Sequence, residues 1–242
     1  IYRRALSGEL HVDELDEGSP SGRMLTGLHF AIFGLNSALA SLGESMRRLR
    51  QHPALVAELS ELFEILEDRA EHLPEALDMQ MGWRHRVPLS VHARASTDEI
   101  MSAFGAMGFR RPNRHREGVY FDQSTGSDVF LVTLEKAASH YSPTTMYRDY
   151  AIAPDLFHWE SQSITAVGSH TGQRYLQHRE KGTHVFLFVR HRKLEAGRTA
   201  AYTCLGAAEY QSHQGSRPIA ITWRLRKSMP DDFFREAKVA AG

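Results

Sequence analysis

The spacing of apolar residues changes character near residue 87. Upstream of it, apolar positions recur at helical intervals. MLTGLHFAIFGLNSALASL, residues 24–42, is almost continuous in apolar and small residues and predicts one long, buried amphipathic helix. Its length suits a membrane span, but His29, Asn36 and several Ser, Thr and Gly positions argue against one. After Pro53, which suits a first helical turn, Leu55, Leu59, Leu62 and Leu66 recur with glutamates between them as far as Pro74. This predicts a second helix with one apolar face, to be packed on the first helix or on another part of a longer parent chain. Residues 7–23, acidic and carrying the turn-forming GSPSG, read as a loop or flexible linker.

Downstream the period shortens. VPLSVHAR, GVYF, DVFLVTLE, DLFHWESQS, HVFLFVRH, AYTCLGAAEY and PIAITWRL are short β-branched or aromatic runs separated by Gly, Pro, Asn or Ser, which predicts successive strands. Helices are expected at TDEIMSAFGAM, capped by Thr97, and at TGQRYLQHREKG, between Thr171 and Gly182. The expected fold is therefore α+β. A helical connector region spans residues 1–82, and a β-rich domain with a curved sheet or partial barrel spans residues 83–242.

Composition adds three points. The chain opens at Ile1 with no basic, apolar and small-residue leader, so it reads as a fragment of something longer. The single Cys204 excludes an internal disulfide framework and a multi-thiolate zinc site, which suits a reducing cytoplasm. The formal net charge of zero divides unevenly: residues 1–80 carry −7 and residues 81–242 carry +7. A basic second half suits a polyanion, although an ordinary charged surface gives the same count. Of the 29 basic residues 24 are arginine, the side chain that grips phosphate or guanine in bidentate fashion.

Several chemistries lack their residues. The sequence has no GxxxxGK[ST] phosphate loop and no GxGxxG. His191-Arg192-Lys193 imitates the start of the HxKxxxxD nuclease signature, but Arg198 stands where the aspartate is required. Asp128 with Glu135-Lys136 has the wrong spacing for a restriction-nuclease core, because the last two are adjacent. The 14 histidines include no HExxH, and His170, His178 and His184 lie among Arg and Lys, so no metal site is expected.

The stretch YRDYAIAPDLFHWESQS, residues 147–163, concentrates rings and hydrogen-bonding groups. As a strand, DLFHWESQS places Phe157, Trp159, Ser161 and Ser163 on one face and His158, Glu160 and Gln162 on the other. A ring to replace lost stacking, beside groups that match a base edge, is what reading a nucleobase requires. Tyr147, Tyr150 and Trp159 are the candidate stacking rings, and His158, Glu160 and Gln162 the candidate edge readers. Arg148, Gln173, Arg174, Arg179, Lys181 and Arg217 are candidates to hold DNA phosphates or fill a vacated duplex position. The plainer alternative is an aromatic core with a polar outer face, Trp159 being core and Glu160 pairing with an arginine.

SPTTMYRDYAIAPDLFHWESQS, TGQRY, HVFLFVR, YTCLGAAEYQSHQGSRPIAITWRL and MPDDFF together resemble a domain-of-unknown-function family. That family is found at the C-termini of bacterial superfamily II (DEAD/DEAH-type) helicase proteins. In many of them a phospholipase-D-type nuclease precedes the helicase, as in the modification-dependent (type IV) restriction enzyme SauUSI. The resemblance runs from about residue 87 to residue 234. It implies a DNA-targeting module that recognises methylated or hydroxymethylated cytosine; joined to the ring-rich stretch, it gives the leading expectation of a non-catalytic domain that binds double-stranded DNA and reads 5-methyl or 5-hydroxymethyl cytosine by base flipping. ATP and a divalent metal would then belong to the helicase and nuclease domains of the parent chain, with no cofactor and no membrane contact here. By analogy with other modified-base readers, the barrel would be SRA-like or PUA-like. The competing expectation is a regulatory domain that packs on the helicase motor and touches DNA only nonspecifically; an intrinsic nuclease is a third, without its motif.

Overall fold

The computed structural model describes residues 1–35, 37–70, 75–83, 87–109, 118–135 and 149–239. It divides into two compact units: residues 1–90 with 97–115, and residues 91–96 with 116–242. The helix expected at TDEIMSAFGAM, assigned from sequence to the second domain, belongs to the first unit.

The first unit is helical. It contains α1 (Tyr2–Ser7), a 3₁₀ turn (Val12–Glu14), α2 (Pro20–Phe33), α3 (Leu42–Arg50), α4 (Pro53–Ala70), α5 (Leu77–Met81) and α6 (Thr97–Ala103). The expected single helix over residues 24–42 is two helices. Gly34, at φ 70° and ψ 178°, closes α2, and α3 restarts only after the Ser41 cap. GSPSG is a helix start rather than a linker: the Ser19 hydroxyl accepts from the Gly22 N–H at 3.1 Å, and Pro20 holds the first turn.

The core of this unit joins Leu25, Leu42, Met46 and Leu49, with Val56, Leu59 and Phe63 of α4 packed against it. On α4, Leu55, Leu62, Ile65 and Leu66 stay exposed. His29 is 1% exposed, and Nδ1 shares a 2.7 Å hydrogen bond with the Ser45 hydroxyl. The rings of Phe30, Phe33 and Phe109 surround it. Among the described residues no helix is long and apolar enough to cross a membrane.

The second unit is built on one mixed sheet. Its strands are β1 (Arg94–Ala95), β2 (Val119–Asp122), β3 (Ser127–Thr133), β4 (Tyr150–Ala153), β5 (Leu156–Glu160), β6 (His184–Arg190), β9 (Tyr202–Gln214) and β10 (Ala220–Leu225). A separate hairpin pairs β7 (Leu194–Glu195) with β8 (Arg198–Thr199). The spatial order is β2-β3-β6-β9-β10-β5-β4, with β1 beside β9. The sheet is open, not closed into a barrel, so the fold is α+β as expected without the closure of the barrel analogy. Of VPLSVHAR, only its last residue, Arg94, falls in β1.

Among the described residues the unit also has two helices, α7 (His170–Leu176) and α8 (Asp231–Val239). Strands β3 and β6 form its parallel pair, and their sequences, DVFLVT and HVFLFVR, are continuous apolar runs buried on both faces. The main core joins Phe130, Phe157, Trp159, Leu187, Ile221 and Trp223 with Tyr175 of α7 and Phe233 and Ala237 of α8.

The start of α7 depends on a close approach. Ser169 donates to the Ala166 carbonyl at 2.7 Å and accepts from the Gly172 N–H at 3.0 Å. A Cβ on Gly172 would lie 2.1 Å from that carbonyl oxygen. Gly172→Ala should therefore cost about 1–3 kcal/mol as the turn is forced open, read as a lower urea midpoint; an unchanged midpoint would show that the turn yields freely.

Candidate nucleic-acid interface

The aromatic stretch forms an antiparallel hairpin at one edge of the sheet. Tyr150 of β4 sits opposite His158 of β5, and Ala151 opposite Phe157. Alternation along β5 buries Phe157 and Trp159 and leaves His158 and Glu160 half-buried on the outer face. The Tyr150 and His158 rings stack with centroids 4.5 Å apart and an interplanar angle of 10°. Register continues the row across the sheet: His158 opposes Thr222 of β10, and Thr222 opposes Ser212 of β9. The next row on this face is Glu160, Ala220 and Gln214.

Buried groups behind the face hold it in place. Asp149 is buried and accepts from the Glu160 N–H at 3.0 Å. The Ser161 N–H donates to the Ile219 carbonyl at 2.9 Å, and the Ser161 hydroxyl accepts from the Ile219 N–H at 2.8 Å. Past Ser161 the chain turns at once, with Thr165 N–H donating to the Gln162 carbonyl at 2.8 Å. Tyr150, His158, Glu160 and Gln162 are thus gathered at one edge, on or just beyond one outer face.

Other candidates fall elsewhere. Trp159 is 5% exposed, on the inner face, and its ring stacks on Phe130 at 4.1 Å. It is core, as strict alternation demands, and cannot share a stack with Tyr150. Arg174 is not a surface phosphate grip. Its guanidinium makes two 2.7 Å bonds to the Asp128 carboxylate and lies 4.0 Å over the Phe121 ring. The side chains of Arg174 and Asp128 are only 12% and 0% exposed. Burial pushes the Asp128 carboxyl up, and the Arg174 bonds offset only part of that rise.

Gln173 is tied to the Val167 carbonyl at 2.8 Å. Arg179 is exposed and paired with Glu209. Lys181 and Arg217 are exposed, Arg217 at the tip of the β9–β10 hairpin. Tyr147 and Arg148 lie outside the described residues.

Two features escaped the sequence reading. The first is Arg224, which reaches from the outer face of β10 to Asp155 in the β4–β5 turn and to Gln211 of β9 at 3.1 Å. Alternation in AITWRL, which buries Trp223, is the signal that could have found it. The second is a cleft of about 1010 Å³ beneath the β7–β8 hairpin, with Arg190 among its lining residues. Its rim charges pair with one another, Arg94 with Glu195 at 2.7 Å and Arg192 with Glu135 at 2.6 Å, while the His191 ring, whose pKa burial lowers, lies 3.1 Å from Glu236. Charges so paired offer little to a polyanion. No group of three or more His, Cys, Asp or Glu side chains among the described residues could hold a metal ion.

Residues 90–237 match the family described as Domain of unknown function (DUF3427). The chain belongs to the DUF3427 family. The match takes in all ten strands among the described residues, so the DUF3427 region includes the Tyr150–His158 face and the ion-paired cleft alike. No curated protein matches the chain.

Proposed function

We propose that this chain is a non-catalytic DNA-binding domain that reads 5-methyl or 5-hydroxymethyl cytosine by base flipping. In this reading it is the C-terminal part of a helicase-linked, modification-dependent restriction protein. The observation that carries the proposal is the stacked Tyr150–His158 pair on an open sheet edge, followed along the chain by Glu160 and Gln162. Rings on a sheet edge can replace the stacking that an extruded base loses, and neighbouring carboxylate and amide groups can match its edge. The Tyr150 ring is the stacking platform and His158 backs it from the sheet. Arg217 and Lys181, with no ion pair among the described residues, are available for phosphates. The resemblance to helicase C-termini supports the assignment of ATP, divalent metal and chain cleavage to other domains of the parent, acting in the cytoplasm.

The exposed leucine face of α4 favours a second role, packing on the helicase motor. The two readings separate on matched methylated and unmethylated duplexes followed by fluorescence anisotropy. The DNA reader binds the methylated duplex more tightly, and Tyr150→Ala lowers that affinity by about 1–3 kcal/mol, the usual worth of one base–aromatic stack. Gln162→Ala narrows the preference for the modified base. Equal binding of both duplexes by the parent, or Tyr150→Ala melting and binding as the parent does, would sink the flipping assignment and leave the interaction role.

A further inference from the structure

The loop that follows β5 carries a side chain that neither the fold nor the face just described uses. Ile164 is 82% exposed, the most exposed of the large apolar residues among those described. It stands with Ser163 at the corner of the turn closed by the Thr165 N–H and the Gln162 carbonyl. Turn corners favour Gly, Asn, Asp, Ser or Pro, so a β-branched apolar residue there gains nothing for local structure.

The stems are fixed. Ser161 is fully buried and bonded to Ile219 in both directions, and Thr165 is buried. A stiff side chain on a stiff turn is held outward at little entropic cost on contact. The neighbouring tip is held alongside: the Val167 N–H donates to the Ser216 hydroxyl at 3.3 Å, next to the exposed Arg217. Two tips therefore project together, one apolar and one cationic, beside Gln162.

We propose that Ile164 is a wedge inserted into the base stack of duplex DNA, with Arg217 on the adjacent tip holding the phosphate backbone. Apolar side chains inserted between base steps unstack and kink a duplex, and a cation close by fixes the strand they open. The inference rests on the DNA-reading proposal and names the residue that opens the stack before Tyr150 receives a base. Ile164 is a positioning residue in this scheme, since it touches the stack and not the base being read.

The test uses a duplex with 2-aminopurine beside 5-methylcytosine, and a second duplex with a mismatch opposite the 5-methylcytosine. The parent should raise 2-aminopurine fluorescence on binding. Ile164→Ser should bind the matched duplex about tenfold more weakly and lose most of the fluorescence rise. On the mismatched duplex, where unstacking costs least, it should approach the parent's affinity. Ile164→Met, another insertable side chain, should restore both signals. Being exposed, all variants should melt with the parent.

Ile164→Ser binding and brightening the matched duplex as the parent does would overturn the wedge and leave the DNA reader standing. Equal weakening on both duplexes would overturn it as well, by making Ile164 an ordinary contact. A parent that binds neither duplex would refute the reader itself.

Discussion

Arg174→Ala should be among the most damaging single substitutions in the β-rich unit, lowering unfolding free energy by about 3–5 kcal/mol, because it strands the Asp128 carboxylate without its partner in the interior. Asp128→Ala should cost a similar amount by orphaning the guanidinium against Phe121. A buried ion pair is expensive to break yet often dispensable when both members are replaced. Arg174→Met combined with Asp128→Leu should therefore recover most of the loss, which a double-mutant cycle in guanidinium chloride would show. Additive single losses would mean the two side chains act independently. Any fall in DNA affinity in Arg174→Ala should disappear in the double variant, since the residue serves the fold.

The second large effect is set by pH. Burial lowers the His29 pKa from 6.5 to about 4. The unfolded chain then binds a proton that the folded helical unit refuses, so stability is fully present above about pH 6.5 and is lost as pH falls toward 4. Linkage puts the loss at about 2 kcal/mol by pH 5 and about 3 kcal/mol by pH 4. Burial also lowers the pKa values of His92, His178, His184 and His191 in the other unit, adding to the same acid sensitivity. An NMR titration should place the His29 midpoint near 4, and His29→Gln should flatten the pH dependence of the helical unit's melting. A His29 midpoint near 6.5 would remove the explanation.

What the sequence disclosed follows from which interactions are local. Alternation in DLFHWESQS correctly separated His158 and Glu160 from Phe157, because side-chain direction in a strand is set residue by residue. It also contained the answer for Trp159, which shares its face with Phe157 and could not join Tyr150. The helix over residues 24–42 was misread because apolar composition continues past Gly34, while the helix stops on a backbone conformation. Arg174 was misread for another reason: its partner, Asp128, lies 46 residues away, and only the fold brings them together. The ion-paired cleft was invisible for the same reason, since its pairs Arg94–Glu195 and Arg192–Glu135 join distant segments.

The spatial order of the strands also sets a timetable for synthesis. The β4–β5 hairpin joins the sheet through β10, and Thr222, the partner of His158, follows it by 64 residues. At about 5–20 residues per second, the hairpin leaves the ribosome roughly 3–13 seconds before the strand that anchors it. A lone two-stranded hairpin is marginal in water, so during that interval Phe157 and Trp159 have no sheet to bury them. A nascent chain stalled before Pro218 would present an apolar, unpaired strand edge to its neighbours, and would be a substrate for chaperones until β10 emerges.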